Sequence, residues 1–219
     1  MQRERLLRSV IAAVARSGFA EATVADIVRG ARVSRAAFYE HFADKEECFL
    51  AAATEGGRLL IDSVTAATRG VPAGASAEQV LRASIAAYLG FLVREPAFAR
   101  AFYTDMPAAG PRAARWIRAG NRNFARANRA WHERARAENP DWPVVPWEAY
   151  YALAGATAEL VRGKVSLDQV ESVTDLEDTL VALHMAVLAC RPWPCDGTVT
   201  GKPDSRETPR LQRSGSGTP

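Results

Sequence analysis

The stretch that decides the fold spans residues 23–42 and reads TVADIVRGARVSRAAFYEHF. Apolar residues recur at helical spacing in its first half and again after a short break, which predicts two short helices joined by a tight turn. Together with apolar residues of the preceding helix they would form a compact three-helix core. The core positions are Ile11, Val14, Phe19, Val24, Ile27, Val28, Val33, Phe38 and Phe42.

The side chains left outside this core suit nucleic-acid recognition. Arg35 can donate two hydrogen bonds to a guanine, while the small Ala36 and Ala37 permit close approach and offer methyl groups to a thymine. Tyr39 and His41 suit phosphate oxygens, which fix the register of a protein on the duplex. We therefore expect the second helix to enter the major groove of double-stranded DNA.

Lys45 gives a separate indication. It follows the predicted cap Asp44 and so lies at the positive end of a helix dipole, where a cation is unfavourable. Either the lysine is solvated at a small cost, or a bound phosphate explains it, because a helix N-terminus with an ammonium group binds anions. Beside the two-helix motif, we favour the phosphate.

Helix signals continue along the chain and predict an all-α fold. Four pairs of residues resemble capping boxes, Pro111 and Pro146 suit first helical positions, and Gly18 is expected to end the first helix. The four pairs are Thr23–Asp26, Asp44–Glu47, Ser76–Gln79 and Ser172–Asp175. The predicted helices are 2–17, 24–31, 35–41, 45–69, 77–94, 97–105, 111–138, 146–164 and 173–190.

We predict a helix-turn-helix DNA-binding domain over residues 1–48, a larger helical bundle over 49–190 and a disordered tail over 191–219, which is rich in Pro, Gly, Ser and Thr. The net charge of +3 permits nucleic acid as a partner without demanding it. No apolar run is long enough to span a membrane, so we expect a cytoplasmic protein with no membrane partner.

Other classes of function have little support in the sequence. The cysteines Cys48, Cys190 and Cys195 have no histidine at a zinc-like spacing, so we predict neither a metal nor a cofactor. The three histidines lie in separate regions, and no nucleophile or phosphate-loop motif occurs, so we predict that the chain is not an enzyme. A helical scaffold protein would not need the basic and aromatic side chains gathered around the second helix.

The chain resembles the TetR/AcrR family of transcriptional regulators over roughly residues 4–50. The order and spacing of several short motifs carry this resemblance. They are Ile11 to Ala15, Gly18–Phe19, Thr23 to Ile27, Val33–Ser34–Arg35, Phe38–Tyr39, His41–Phe42 and Lys45–Glu46. The resemblance implies that Thr23 is a cap and phosphate contact, that Ser34, Arg35 and Ala37 face the groove, and that Tyr39, His41 and Lys45 contact the DNA backbone.

One position departs from the family pattern. The family usually has glycine before the Val33–Ser34 pair, where the turn can require a positive φ, but this chain has Arg32, with a glycine at Gly30. An arginine with positive φ costs about 1 kcal/mol. Either the turn is strained or its geometry differs, and we hypothesise that Arg32 adds a phosphate contact.

The resemblance also implies that the bundle binds a small-molecule effector that changes the spacing of two recognition helices. The bundle is rich in aromatic residues, which either fill its core or surround a mainly apolar pocket. The expected lining comes from Phe98, Phe102, Met106, Trp116, Phe124 and Tyr150. A stripe of arginines predicts a solvated basic face or, alternatively, an anion site: Arg112, Arg115, Arg118, Arg122, Arg126 and Arg129.

The last two helices suit pairing between subunits. One carries small residues that allow close approach, and the other has a broad apolar side, although a monomer could bury both internally. The predicted homodimer contacts are Ala152, Gly155, Ala156, Leu176, Leu180, Leu183 and Val187. A dimer would bind a palindromic operator with half-sites about 34–36 Å apart. We predict a repressor released from its operator by the effector; the alternatives are an activator of the same fold or a scaffold without DNA binding.

Overall fold

The structure, a computed structural model, describes residues 1–190, and within that range the chain is all-α, with nine α-helices and no strand. The predicted fold class is confirmed. The predicted tail and Cys195 lie outside the described residues. The helices are α1 Gln2–Glu21, α2 Val24–Ala31, α3 Arg35–Tyr39, α4 Lys45–Arg69, α5 Ala77–Arg94, α6 Pro96–Arg100, α7 Pro111–Glu138, α8 Trp147–Ser166 and α9 Glu177–Leu188.

Local capping explains where several helices begin. The Thr23 hydroxyl accepts a hydrogen bond from the Asp26 N–H at 3.2 Å, and the Asp26 carboxylate accepts one from the Thr23 N–H at 3.1 Å. Ser76 and Gln79 form the same reciprocal pair before α5. Such a box satisfies two helix N–H groups that have no intrahelical acceptor. At α4 the Asp44 carboxylate caps the helix by accepting from the Glu47 N–H. The Glu47 carboxylate accepts from the Ala43 N–H, one residue earlier than the predicted box requires.

Other helix boundaries differ from the predictions. Ser172 does not cap a helix, because it lies inside a 3-10 helix, Val170–Leu176, and α9 begins only at Glu177. Pro146 is the N-cap of α8 rather than its first helical residue. The predicted helix 97–105 becomes α6 followed by a π-helical turn, Ala101–Asp105. None of these three helices has a side-chain hydrogen bond at its N-cap.

Gly18 ends the regular part of α1, as predicted, because its backbone is not helical. Its φ of 81° and ψ of 158° bend the helix, and one further turn continues to Glu21. The Phe19 N–H freed at this bend donates to the Asp105 carboxylate at 3.1 Å. The bend therefore joins the end of α1 to the π-helical turn of the bundle.

Two buried apolar clusters organise the molecule. The N-terminal cluster contains the cores of α1–α4 and also takes in Ala101, Met106, Ala109 and Ala113 from the bundle. The C-terminal cluster joins α5, α7, α8 and α9. The predicted boundary at residue 48 therefore passes through a continuous apolar core. No helix in the described part of the chain combines the length and hydropathy needed to cross a membrane.

Candidate functional site

The outer side of α3 is exposed to solvent, and its inner side packs on a buried apolar core. Phe38 is fully buried and packs against Phe42 with ring centroids 5.8 Å apart. The Ser34 hydroxyl caps α3 by accepting from the Ala37 N–H at 3.0 Å. Arg35 and Ala36 are exposed. A helix of five residues is too short to be stable alone, so the Phe38 anchor and the Ser34 cap are what keep its shape.

The remaining predicted DNA contacts surround this surface. Thr23, Arg32 and His41 are exposed, and the Tyr39 side chain is 54% exposed beside the buried Phe38. Ala37 is only half-buried. The structure thus leaves these four predicted contacts exposed, on α3 or on the segments that flank α2 and α3.

The turn before α3 has the strained geometry anticipated at Arg32. This residue has φ 53° and ψ 52°, in the left-handed region that favours glycine. The conformation lets the Val33 N–H donate to the Val28 carbonyl at 3.1 Å, which closes the end of α2. Of the two alternatives left open by the sequence, the structure shows the strained turn, which a glycine would adopt without strain.

The hydrogen bonds of Lys45 differ from the predicted phosphate contact. Its ammonium group donates to the carbonyls of Phe19 at 2.6 Å, Ala20 at 3.2 Å and Ala22 at 2.7 Å, and it lies 4.4 Å from the centroid of the Phe19 ring. A cation among the last carbonyls of α1 is at the favourable end of that helix dipole. The position at the start of α4 therefore needs no phosphate to explain it, because Lys45 ties α4 to α1.

The arginine stripe of α7 divides into two parts. Arg112 bridges Asp44 at 3.1 Å and Glu46 at 3.3 Å, which joins the start of α7 to the start of α4. Further along, Arg126 and Arg129 bind neighbours on their own helix. The others are exposed and have no hydrogen-bond or ion-pair partner among the described residues: Arg115, Arg118 and Arg122.

Most of the predicted pocket residues fill space instead of enclosing it. Phe102 stacks on Phe98 with centroids 5.6 Å apart and meets Trp116 edge-on at 5.3 Å. Met106 is fully buried in the N-terminal cluster. Tyr150 shares a hydrogen bond of 2.8 Å with buried His132. These five residues are core, because their rings and thioether pack directly on one another or on neighbouring helices.

A cavity of about 100 Å³ lies elsewhere in the bundle, between α4, α5, α7, α8 and α9. Of the predicted lining residues, only Phe124 borders it within the described structure. Val64 approaches from α4, and Asn128, Thr157 and His184 bring polar groups from α7, α8 and α9. This set was not among the predicted residues, although Asn128 lies between Phe124 and Trp131 on one helix face in the sequence.

The polar groups of this cavity are neutral. The His184 Nδ1–H donates to the Leu180 carbonyl at 2.8 Å, which leaves Nε2 as an acceptor 3.4 Å from the Asn128 amide nitrogen. Burial lowers the pKa of His184. Thr157 is 2% exposed, and its hydroxyl oxygen has no hydrogen-bond partner among the described residues.

The predicted dimer contacts separate into an outer and an inner set. Ala152 is exposed, and Gly155 and Ala156 are half-buried on the same side of α8. A Cβ added at Gly155 would meet no atom within 4 Å. The predicted residues Leu176, Leu183 and Val187 are half-buried, whereas Leu180 is fully buried inside the chain's own core. The prediction that Leu180 contacts a partner subunit is therefore wrong, because its side chain is buried inside its own subunit.

Comparison with known proteins agrees with this architecture. Residues 8–52 match the family described as bacterial regulatory proteins, tetR family. The fatty acid degradation regulator FadR from Bacillus halodurans has the same fold, with a TM-score of 0.75 and 14% identity over 84% of this chain and 94% of that chain. No curated protein gives a significant match to the sequence.

Two further solved structures have the same fold. The transcriptional regulator FadR from Bacillus subtilis, in complex with stearoyl-CoA, gives a TM-score of 0.73 at 14% identity, covering 84% of this chain and 98% of that one. GusR of Salmonella enterica gives 0.66 at 22% identity, with 86% and 96% covered. The N-terminal domain thus matches a family, and the whole described fold recurs in regulators.

Proposed function

We propose that this chain, which is a TetR-family transcriptional regulator, acts as a homodimeric repressor that leaves a palindromic operator when a small effector enters its bundle. The observation that carries the proposal is the open face of α3. Arg35 and Ala36 are exposed there while Phe38 beneath them is fully buried. A short helix that presents a bidentate donor and small side chains above a closed core suits a major groove.

Eight side chains on and near α3 have a proposed role. Ser34, Arg35, Ala36 and Ala37 face base edges, and Arg35 reads a guanine. Phosphate contacts, which position the protein without reading sequence, come from four flanking residues. These are Thr23, Arg32, Tyr39 and His41. Lys45 is left out because three carbonyls already use its ammonium group.

The dimer surface that we propose lies on α8 and α9. Ala152, Gly155 and Ala156 follow one side of α8, and Leu160, 37% exposed, continues that side. Gly163 extends it by another turn, and a Cβ there would meet no atom within 4 Å. Small residues along an open helix face allow a second helix to approach closely. The half-buried Leu176, Leu183 and Val187 support the same pairing from the neighbouring segment.

Helix α4 offers a physical route from effector to DNA. Its first residue, Lys45, holds the last carbonyls of α1, while Val64 near its other end borders the bundle cavity. An effector that binds one position of α4 better than another shifts the equilibrium between two dimer geometries. The half-site spacing of the two α3 helices changes with it, and operator affinity falls.

The test begins with an operator selected from genomic DNA by repeated capture on the purified protein. Fluorescence anisotropy then compares wild type with Arg35→Ala. Loss of a bidentate base contact should weaken binding by about 1–3 kcal/mol, or roughly 5- to 150-fold, without changing the melting temperature. Arg69→Ala is the matched control, because Arg69 is an exposed arginine at the far end of α4.

The proposal fails if no fragment is captured at low salt, or if Arg35→Ala and Arg69→Ala bind equally well. A promoter reporter distinguishes repression from activation. Expression should rise when the gene for this chain is deleted if it represses, and should fall if it activates.

A further inference from the structure

We propose that the effector of this chain is a small uncharged molecule with one hydroxyl or carbonyl oxygen, held by the hydroxyl of Thr157 inside the bundle cavity. The inference rests on the proposed function, since it names the chemistry of the effector that the function requires. Thr157 lies on α8 among lining residues that come from all the surrounding helices.

The buried hydroxyl of Thr157 lacks a hydrogen-bond partner within the described residues. The residue is 2% exposed, and its hydroxyl oxygen makes no hydrogen bond within the described structure. Buried hydroxyls are almost always hydrogen-bonded, because an unsatisfied one has lost its water without compensation. Threonine also has the means to bond to its own helix, as Thr54 does here with the Leu50 carbonyl at 2.8 Å. A ligand oxygen in the cavity would satisfy the Thr157 hydroxyl.

The surrounding polar groups restrict where that oxygen sits. The Nε2 of His184 is an acceptor, because its Nδ1–H is donated to the Leu180 carbonyl at 2.8 Å. The Asn128 amide approaches this Nε2 at 3.4 Å, which is longer than a strong hydrogen bond. A ligand hydroxyl can donate to the His184 Nε2 while it accepts from Thr157, and a ligand carbonyl can accept from the Thr157 hydroxyl alone.

The charge of the lining selects against ions. None of the lining residues is Asp, Glu, Lys or Arg, and most of the surface is aliphatic or aromatic, as at Leu81, Ile85 and Trp131. Placing a carboxylate there would bury a charge with no opposite charge beside it, which is strongly unfavourable. The exposed arginines of α7 are not part of this lining. An anionic effector therefore does not fit the cavity.

The size of the cavity sets the scale of the ligand. A dry apolar cavity of 150 Å³ in another protein holds benzene. The cavity here is about 100 Å³, about two-thirds of that volume, so a molecule of about four to six non-hydrogen atoms fits, the larger ones after the lining side chains shift outward. A long acyl chain such as that of stearoyl-CoA does not. Substituted rings or short branched chains with one oxygen are the matching class.

A matched series of five-membered rings tests the proposal on the full-length protein. The probes are cyclopentanol, cyclopentanone, cyclopentane and cyclopentanecarboxylate, and calorimetry or ligand-observed NMR measures their binding. The alcohol and the ketone should bind at least about tenfold more tightly than cyclopentane, and the carboxylate should not bind measurably.

The variant Thr157→Val separates the hydrogen bond from the shape of the site. Valine has nearly the same volume as threonine but no hydroxyl, so the free variant should melt at the same or a higher temperature. Its binding of cyclopentanol should fall to the level of cyclopentane, whose binding should be unchanged. Thr179→Val, at an exposed position of α9, is the matched control and should bind all four probes like wild type.

Two results would overturn the inference: tighter binding of cyclopentanecarboxylate than of cyclopentanol, or equal binding of cyclopentanol by wild type and Thr157→Val. Operator binding distinguishes these failures from failure of the proposed function. If the alcohol binds through Thr157 but operator affinity does not change, the ligand chemistry holds and the proposed release mechanism is wrong. If the operator binds normally while no uncharged probe binds, the ligand chemistry alone is wrong.

Discussion

The two halves of this molecule place their proposed functional groups on opposite sides of their cores. In the N-terminal domain the core is closed around Phe38, and Arg35 and Tyr39 project outward. In the bundle the polar groups Thr157 and His184 point inward, around a cavity of about 100 Å³. A surface that meets DNA needs a rigid support behind it, whereas a site for a small molecule needs unfilled space and unsatisfied polar atoms.

The largest expected effect tests the closed N-terminal core at two adjacent positions. Phe38→Ala should destabilise the protein by about 3–5 kcal/mol, because it removes a fully buried ring and leaves a cavity. Tyr39→Ala should change stability by less than about 0.5 kcal/mol and mainly weaken DNA binding. Urea unfolding and anisotropy measure the two quantities. Equal destabilisation by both variants would contradict the division between core and surface.

The next effect tests whether Lys45 supports the fold or contacts DNA. Lys45→Met removes the ammonium group from three carbonyls at the end of α1 and should cost about 1.5–3 kcal/mol of stability in the absence of DNA. Lys45→Arg keeps the charge and should recover part of the loss. If Lys45→Met unfolds like wild type but binds DNA poorly, Lys45 is a phosphate contact after all.

A pair of neighbouring glycines in α4 tests the packing between the two halves. A Cβ at Gly56 would lie 2.1 Å from the Phe98 ring, whereas a Cβ at Gly57 would lie 4.0 Å from Trp116. Gly56→Ala should therefore destabilise by about 1–3 kcal/mol. Gly57→Ala should stabilise by about 0.5–1 kcal/mol, because alanine favours the helix. Thermal unfolding of both variants gives the comparison, and stabilisation by both would show that Phe98 moves aside easily.

The buried histidines of the bundle predict a dependence on pH. Burial lowers the pKa of His132 and His184, so the unfolded chain binds protons at pH values where the folded chain does not. Stability should be level above about pH 6.5 and fall below it, by up to about 1.4 kcal/mol per pH unit for each histidine. Denaturation between pH 7.5 and 5.5 measures this slope. His184→Gln should make it shallower, and an unchanged slope would exclude His184 as a contributor.

The smallest effect concerns the strained turn before α3. Arg32→Gly should stabilise the protein by about 1 kcal/mol, because glycine adopts a φ of 53° without strain. Arg32→Gln removes the charge but keeps the strain, so its stability should match wild type. Both variants should bind the operator more weakly if Arg32 contacts a phosphate. Wild-type affinity in both would remove Arg32 from the proposed DNA surface.

Features that depend on neighbours in the chain were predictable from the sequence. The boxes at Thr23–Asp26 and Ser76–Gln79 join residues three apart, and the apolar faces of α1 and α2 repeat every three to four residues. The left-handed turn at Arg32 was one of two alternatives that the family resemblance raised. At the start of α9 the local signal was misleading, because the Ser172–Asp175 pair lies inside a 3-10 helix and α9 begins only at Glu177.

The sequence by itself determined the all-α fold, the helix-turn-helix and the residues that surround α3, because periodicity and capping act within a few residues of chain. Only the tertiary structure decided the rest. Lys45 donates to carbonyls that lie 23 to 26 residues earlier in the chain. Leu180 is buried in its own subunit, and the aromatic rings predicted to line a pocket pack on one another instead. A cavity is what remains after five helices pack, so its position depends on all of their side chains together.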